Sequence, residues 1–271
     1  MTVDAILPAA GRISGDFAAE AGAELKALIE IGGQTVLART IDTVRATSRV
    51  GRIVVITAEE ARTHPAMRLA DAVLPEGGES GPDNIIAGLE WLREARGGTL
   101  LDRVLVLTTD LPFLTPECLS EYMDACPRDV DVCVPLVEDR SLLSRFPASR
   151  ALFVKLRDGS WTIGCAFMIN PAAFLENRQL IERCFQARKS QLRMAQLLGI
   201  GFILRFLTSR LTVADVEAHC RAVLGCSACA IRDSAPELAF DIDQVEDYRY
   251  ALAAARPPSA ACGGGPNGGP E

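Results

Sequence analysis

The first 135 residues alternate short, continuously apolar segments with amphipathic stretches, and this alternation restricts the fold more than any other feature. The apolar runs at 52–57 and 103–108 are typical of strands that are buried on both faces of a parallel sheet. Between such runs, residues 35–47 and 115–125 place apolar side chains at helical spacing. Repeated β-α-β units predict an α/β fold, a three-layer sandwich around a mostly parallel, Rossmann-like sheet.

The regular alternation ends after residue 135. A polar segment with three arginines (138–150) is predicted to lie on the surface, and the pattern beyond it is mainly helical, which indicates an insertion. The remaining elements are two strands joined by a turn (151–156 and 161–169), several short helices within 171–224, two strands (228–232 and 238–242) and a closing helix (245–254).

Composition excludes several classes of function. The chain of 271 residues is 49% hydrophobic and 23% charged, which suits a globular protein with a sizeable core. A net charge of −7 argues against a nucleic-acid surface, because binding a polyanion needs clustered Lys and Arg. No apolar stretch is long enough to span a membrane, and no signal peptide precedes the first apolar run. We therefore expect a cytoplasmic protein with no membrane partner.

The nine cysteines are best interpreted as reduced, packed thiols. Cys226 and Cys229 form a C-x-x-C pair, and His219 and Cys220 lie close by in sequence. A zinc site needs about four converging ligands. Adjacent residues on a helix point in different directions, which disfavours zinc here.

A small-residue turn follows the first apolar segment. Residues 5–7 lead into Pro8, Ala9, Ala10 and Gly11, and a polar loop through Ser14 continues to Lys26. Small side chains let backbone N–H groups approach phosphate oxygens, and an ammonium group neutralises part of their charge. The segment therefore favours a nucleotide phosphate site. It matches neither a Walker A motif nor a dinucleotide fingerprint, and α/β domains that bind no phosphate also open on such turns.

Asp110 follows the buried run at 103–108 and precedes a proline. The carboxyl ends of parallel strands meet at one edge of a sheet, so Asp110 is expected on the same edge as Gly11. A carboxylate facing phosphates there usually holds Mg²⁺. The alternative is that Asp110 only caps a turn.

Asp241 and Asp243 form a second acidic pair. Residues two apart in an extended segment project to the same side, which favours a cation site. Alternatively, Asp243 caps the helix that begins near Val245. A further candidate is Lys189, since the Arg188–Lys189 pair lies between predicted helices and is able to reach an anionic ligand.

Four segments in this order resemble the nucleotidyltransferase superfamily with a GT-A-like fold: LPAAG, Lys26 within KALIEIGGQTVL, TTDLPFL and FDIDQVEDY. The chain is similar to the MobA-like NTP transferases and to the cytidylyltransferases of isoprenoid and molybdenum-cofactor synthesis. The resemblance covers roughly residues 3–135 and 238–254. Members usually carry an arginine soon after the small-residue turn. Arg12 is the candidate to replace it here, although its position is shifted.

The resemblance also implies roles for individual residues. The turn at Ala9, Ala10 and Gly11, with the loop to Ser14, would hold the base and the triphosphate. Lys26 would contact the phosphates, and Asn84 would contact the nucleobase. Asp110 would bind Mg²⁺ together with Asp241 or Asp243.

These observations predict a Mg²⁺-dependent nucleotidyltransferase. It would transfer an NMP from an NTP, with CTP or GTP as the guess, to a small phosphorylated or hydroxyl acceptor and release pyrophosphate. The alternatives are a glycosyltransferase of the same fold that uses a nucleotide sugar, or a non-catalytic nucleotide-binding protein. The sequence leaves the acceptor and the oligomeric state open.

The expected organisation is one nucleotidyltransferase domain over residues 1–255. It would consist of a nucleotide-binding half (1–136), an acceptor-side insertion (about 138–235) and a closing strand and helix (236–255). Residues 256–271 are rich in Gly and Pro and predict a disordered tail.

Overall fold

A computed structural model of the chain describes residues 2–78, 80–187 and 191–255; the predicted disordered tail lies outside them. Within these residues the strands form a nine-stranded sheet and a two-stranded ribbon. The strands are β1 (Val3–Pro8), β2 (Glu30–Ile31), β3 (Gln34–Thr35), β4 (Val50–Thr57), β5 (Ala72–Pro75), β6 (Val104–Leu107), β7 (Val132–Glu138), β8 (Val154–Leu156), β9 (Gly159–Ile163), β10 (Ala166–Ile169) and β11 (Ala228–Ile231). The helices are α1 (Gly15–Ala21), α2 (Val36–Ala46), α3 (Gly81–Ala95), α4 (Pro116–Ala125), α5 (Asp139–Arg145), α6 (Pro171–Glu176), α7 (Arg178–Ala187), α8 (Gln191–Leu198), α9 (Ile200–Leu207), α10 (Val213–Leu224) and α11 (Val245–Ala255).

The sheet has the mostly parallel, Rossmann-like arrangement that the sequence predicts. Its strand order is β5-β4-β1-β6-β10-β7-β9-β8, with β11 paired to β7. β1 lies between β4 and β6 and is parallel to both. β10 is antiparallel to β6 and to β7, so β6 and β7 run in the same direction. The carboxyl ends of β1 and β6 therefore meet at one edge.

Helices cover both faces of the sheet and complete the three layers. Alternate side chains of β1 point to opposite faces of the sheet. Ala5 and Leu7 pack into one apolar cluster with Leu37 of α2. Ile6 packs into another cluster with Leu89 of α3. Every second side chain of a strand points to the same face, so a strand buried on both sides needs a continuous apolar run. No helix within the described residues has both the length and the apolar composition to cross a bilayer.

Helices α4 and α10 each begin with a side-chain cap. Thr115 accepts a hydrogen bond from the backbone N–H of Cys118 at the start of α4. Thr212 and Asp215 form a capping box at the start of α10, with the Thr212 hydroxyl accepting from the Asp215 N–H. Both caps satisfy backbone donors that the first helical turn leaves free.

Two local predictions are wrong, and one helix was not predicted. The polar segment 138–150 lies largely on the surface, as predicted, but it also contains α5, where Leu142 and the adjoining Phe146 are buried. The predicted strand 161–169 is divided into β9 and β10. Residues 238–242 form no strand, since their hydrogen bonds go singly to separate segments and no ladder develops.

The described cysteines are all unpaired thiols. Among the described residues, Cys226 and Cys229 belong to no group with the spacing of a metal site.

Candidate nucleotide and metal site

The turn after β1 places Lys26 at the carboxyl edge of the sheet. Ala9 is buried and still bonds to the sheet, donating its N–H to Ile56 O over 2.7 Å. The chain then leaves the sheet, and the Lys26 N–H donates to Gly11 O over 2.8 Å. A Cβ atom on Gly11 would lie 3.7 Å from Lys26 Cδ. The lysine stem therefore runs alongside Gly11.

Asp110 lies at the same edge, as the sequence predicts. It follows β6, and the preceding Thr109 donates its hydroxyl to Pro8 O over 3.1 Å, which ties this loop to the end of β1. Asp110 O in turn accepts the backbone N–H of Ile242 over 3.0 Å. This bond brings the two acids that flank Ile242 to the edge of β6.

Four charged residues form one cluster, called here the acid cluster: Lys26, Asp110, Asp241 and Asp243. Lys26 Nζ contacts Asp243 and lies 3.7 Å from Asp110 Oδ2. One carboxylate oxygen from each of the three acids lies within 4.8 Å of the others. The Lys26 and Asp110 side chains are only 19% and 16% exposed, whereas Asp243 is 61% exposed. The cluster is thus buried on the sheet side and open on the other.

Burial and crowding of like charges decide the protonation of the acids. Burial alone would lower the pKa of Lys26, but the charges of Asp110 and Asp243 outweigh it and raise that pKa. Burial also raises the pKa of Asp110 against the opposing Lys26 charge. The pKa of Asp241 rises to about 7, because of burial first and then the charges of Asp110 and Asp243. One ammonium group does not balance three acids, so the cluster favours an added cation.

The donor set fits a hard divalent cation such as Mg²⁺. Carboxylate oxygens are the ligands that Mg²⁺ and Ca²⁺ prefer. Asp110 Oδ1 is buried and has no hydrogen-bond partner in the described part of the chain, and the same holds for the adjacent Thr108 hydroxyl. A buried carboxylate oxygen without a partner is costly, and a cation would satisfy it.

The capping alternative for Asp243 is resolved by α11. Asp247 Oδ2 accepts the backbone N–H of Gln244 over 2.9 Å and that of Asp243 over 3.2 Å. Asp247 therefore caps the helix, and the Asp243 carboxylate is directed to Lys26.

The other predicted site residues lie outside the acid cluster. Arg12 pairs with Glu60, and both side chains are about half exposed. Ser14 is exposed and makes no side-chain cap for α1. Asn84 is buried in the first turn of α3, where its Oδ1 accepts the Gly77 N–H over 2.9 Å. Lys189 lies outside the described residues. The roles of these four residues stay predictions.

The structure also shows a cavity of about 430 Å³ beside the acid cluster, which sequence reasoning missed. Asp241 and Asp243 line one side, and Arg150, Leu152 and Ile163 line another. Arg150 is held by Gln244, whose Oε1 accepts its Nη1–H over 3.1 Å. No local pattern in the sequence marks Arg150, because its neighbours in space come from the far end of the chain.

The sheet, the small-residue turn beside Lys26 and the three acids fit the class of α/β nucleotidyltransferases that the sequence resembles. The MobA-like NTP transferase domain profile matches residues 10–199, well over half of the chain. The chain belongs to this family, and the protein is therefore a nucleotidyltransferase.

Solved structures agree with this assignment of fold. A hypothetical transferase from Thermus thermophilus is 29% identical, with a TM-score of 0.79 over 91% of this chain and 99% of the other. A 2-C-methyl-D-erythritol 4-phosphate cytidylyltransferase, also from Thermus thermophilus, is 20% identical, with a TM-score of 0.54 over 94% and 99%. CMP:2-keto-3-deoxy-manno-octonic acid synthetase, solved with CTP, is 13% identical, with a TM-score of 0.57 over 94% and 99%. The last two similarities concern the fold alone.

Proposed function

We propose that this protein transfers an NMP from an NTP to a small phosphorylated or hydroxyl acceptor, with Mg²⁺ bound and pyrophosphate released. The observation that carries the proposal is the convergence of Lys26 with Asp110, Asp241 and Asp243 beside the glycine turn. An acceptor oxygen would attack the α-phosphorus in line. The new bond joins that oxygen to phosphorus, and the bond from the α-phosphorus to the bridging oxygen breaks as pyrophosphate leaves with its electron pair. A hydroxyl acceptor would also lose its proton, to solvent.

Lys26 would act on the phosphates directly. In the ligand-free protein its ammonium group is balanced by Asp243 and Asp110. Its raised pKa keeps it charged, so it can neutralise phosphate oxygens and stabilise the charge that builds up on pyrophosphate. Asp110 with Asp241 or Asp243 would hold Mg²⁺, which supplies Lewis-acid neutralisation of the phosphate oxygens when bound.

The nucleotide would lie over the loop that follows β1. Ala10 and Gly11, with Ser14 further along, would present backbone N–H groups to the triphosphate. Pro8 and Ala9 would shape the turn instead, because proline has no N–H and the Ala9 N–H is donated to Ile56 O. Asn84 anchors the loop at Gly77, and that loop would contact the base. CTP is the first nucleotide to test and GTP the second.

Two further cations would serve the phosphates. Arg12 would turn from Glu60 toward the triphosphate, and Lys189 would be the second cation, as the sequence predicts.

The acceptor would occupy the cavity beside the acid cluster. Asp241 and Asp243 line this cavity, so an acceptor within it lies next to the proposed metal site. Arg150 offers a guanidinium group to an acceptor phosphate, and Leu152 and Ile163 offer apolar contacts. On this proposal the single domain 1–255 would be organised as the sequence suggests. The nucleotide would bind residues 1–136, the acceptor would bind the insertion, and the metal ligands would be shared with the closing segment (236–255).

The deciding experiment measures pyrophosphate release with each NTP, Mg²⁺ and a panel of phosphorylated and hydroxyl acceptors. Lys26→Ala is expected to lower turnover by about 10²- to 10³-fold, the usual cost of losing one group that stabilises transition-state charge. Lys155→Ala, which removes an exposed lysine on β8, is the matched control and should be unchanged. Wild-type turnover by Lys26→Ala, or full activity with EDTA, would refute the proposal.

A further inference from the structure

A small cavity lies at the edge of the sheet opposite the acid cluster. It borders Val3, where β1 begins, and Arg103, which immediately precedes β6. The acid cluster lies beyond the other ends of these two strands, so the two sites are separated by the length of the sheet. The cavity holds about 90 Å³. That is roughly the share of three water molecules in the liquid, at about 30 Å³ each, and it suits a small oxyanion.

Arg103 is a buried cation without a counter-ion. The residue is only 4% exposed, yet it forms no ion pair within the described residues. Nη2 donates to Pro127 O, and the guanidinium group also faces the Cys133 thiol. Nη1 is buried and has no oxygen acceptor among the described residues. Arginine stays protonated at any ordinary pH, so the charge cannot be relieved by losing a proton. A buried guanidinium nitrogen without an acceptor is costly unless a ligand supplies one.

Two more arginines line the same cavity. Arg49 Nη1 pairs with Asp124 over 2.6 Å, while Arg128 is exposed and forms no ion pair in the described part of the chain. Asp131 lies near enough for the charge of Arg103 to help lower its pKa, but its oxygens already accept from Ser227 and from Asn170. The lining thus carries three guanidinium groups against one carboxylate.

We propose that this cavity binds a phosphate group, held by Arg103 with Arg49 and Arg128. Arg103 would offer its free Nη1–H from the buried side. Guanidinium groups match the oxygens of phosphate in a forked geometry. Val3, Met123 and Met168 form apolar walls that reduce competition from water. The site is separate from the proposed nucleotide site and does not depend on it.

The test measures binding of inorganic phosphate by calorimetry in EDTA, in the Lys26→Ala background that disables the proposed nucleotide site. Phosphate is expected to bind and to raise the melting temperature. Arg49→Ala and Arg128→Ala are each expected to weaken binding by about tenfold or more, as for a lost charge-assisted hydrogen bond. Arg157→Ala, an exposed arginine elsewhere, is the matched control and should leave the affinity unchanged.

Arg103→Met is expected to abolish phosphate binding. Because Arg103 is buried, the folding of this variant is checked by circular dichroism. Arg49→Ala and Arg128→Ala decide the question if Arg103→Met does not fold. Parallel titrations with pyrophosphate and with CMP test whether the site binds free phosphate or a phosphate group of a larger molecule. If Arg49→Ala and Arg128→Ala weaken the binding of pyrophosphate or CMP as much as that of inorganic phosphate, the ligand is a larger molecule that carries a phosphate group. Absence of binding, or equal affinity in Arg49→Ala, Arg128→Ala and Arg157→Ala, would overturn the proposal. Neither result bears on turnover, so the proposed function stands or falls separately.

Discussion

Ile242 donates its backbone N–H to the carbonyl oxygen of Asp110 over 3.0 Å, which joins the end of β6 to a segment near the far end of the chain. The bond fixes the backbone on which Asp241 and Asp243 sit. Their carboxylates consequently meet that of Asp110, with ligand oxygens within 4.8 Å of one another.

The first prediction concerns the three acids. Asp110→Asn is expected to lower turnover by at least about 10²-fold and to weaken Mg²⁺ dependence, because an amide cannot supply the same charge. The rate is measured as a function of Mg²⁺ concentration. Asp102→Asn changes an exposed acid close by in sequence and should behave like the wild type. An unchanged Mg²⁺ titration in Asp110→Asn would exclude this residue as a ligand.

The second prediction concerns the pH dependence of stability without metal. Asp241 has a pKa of about 7 in the folded protein, raised by burial and then by Asp110 and Asp243. In the unfolded chain the pKa of an aspartate is about 3.9, so the unfolded state loses its proton first as the pH rises. The free energy of unfolding in EDTA should therefore fall between about pH 4 and about pH 7, by up to about 4 kcal/mol.

Urea unfolding of the wild type and of Asp241→Asn at about pH 5 and about pH 8 tests this. The variant has no titrating group at this position, so its stability should fall less over the same range. Equal slopes in the two proteins would contradict the assignment.

The third prediction concerns Gly164, which separates β9 from β10. A Cβ atom there would lie 2.6 Å from Leu238 O and 2.8 Å from Pro135 Cγ. Gly164→Ala must therefore push back the segment that carries Asp241 and Asp243. We expect a loss of about 1–3 kcal/mol in the free energy of unfolding, together with reduced turnover. Gly201→Ala, in α9 with no atom near its Cβ position, should instead be neutral or stabilising by up to about 1 kcal/mol.

The fourth prediction concerns an ion pair at the start of β1. Asp4 is buried and accepts from Arg96 Nε over 2.7 Å and from Arg96 Nη2 over 2.8 Å. Arg96→Ala leaves a buried carboxylate without its cation, which should cost about 3 kcal/mol in thermal or urea unfolding. Arg93→Ala removes an exposed arginine one turn earlier in α3 and should change stability little. A similar loss in both variants would show that the pair has no special role.

The strands and helices of the first 135 residues could be predicted because the apolar residues within each element show which of its faces are buried. A strand covered on both faces needs a continuous apolar run, and the shared edge of Gly11 and Asp110 follows from the parallel order. The same reasoning predicts a strand at 238–242, which the structure does not contain. Leu238, Phe240 and Ile242 are all buried, but each packs into a different apolar cluster. Such a segment has the alternating pattern of a strand without the ladder of one.

The parts of the site that could not be predicted depend on contacts between distant residues. Arg150 lines the cavity beside the acid cluster because Gln244 holds it. Among the described residues, Arg103 Nη1 lacks an acceptor only in the folded protein, where it is buried. α5 forms because two apolar side chains reach the core from an otherwise polar segment. The two arginines have no signature in their own stretches of sequence, whereas the spacing of Leu142 and Phe146 is a weak helical pattern within a polar segment.

The contact between Lys26 and Asp243 joins residues 217 positions apart. During synthesis, residues 3–11 leave the ribosome long before Asp241 and Asp243 do, and chains begin to fold from their N-terminal side. A nascent or prematurely terminated chain therefore contains the small-residue turn and Lys26 but lacks Asp241 and Asp243, two of the three acids. The cluster is complete only after residue 243 has been synthesised and has reached the end of β6.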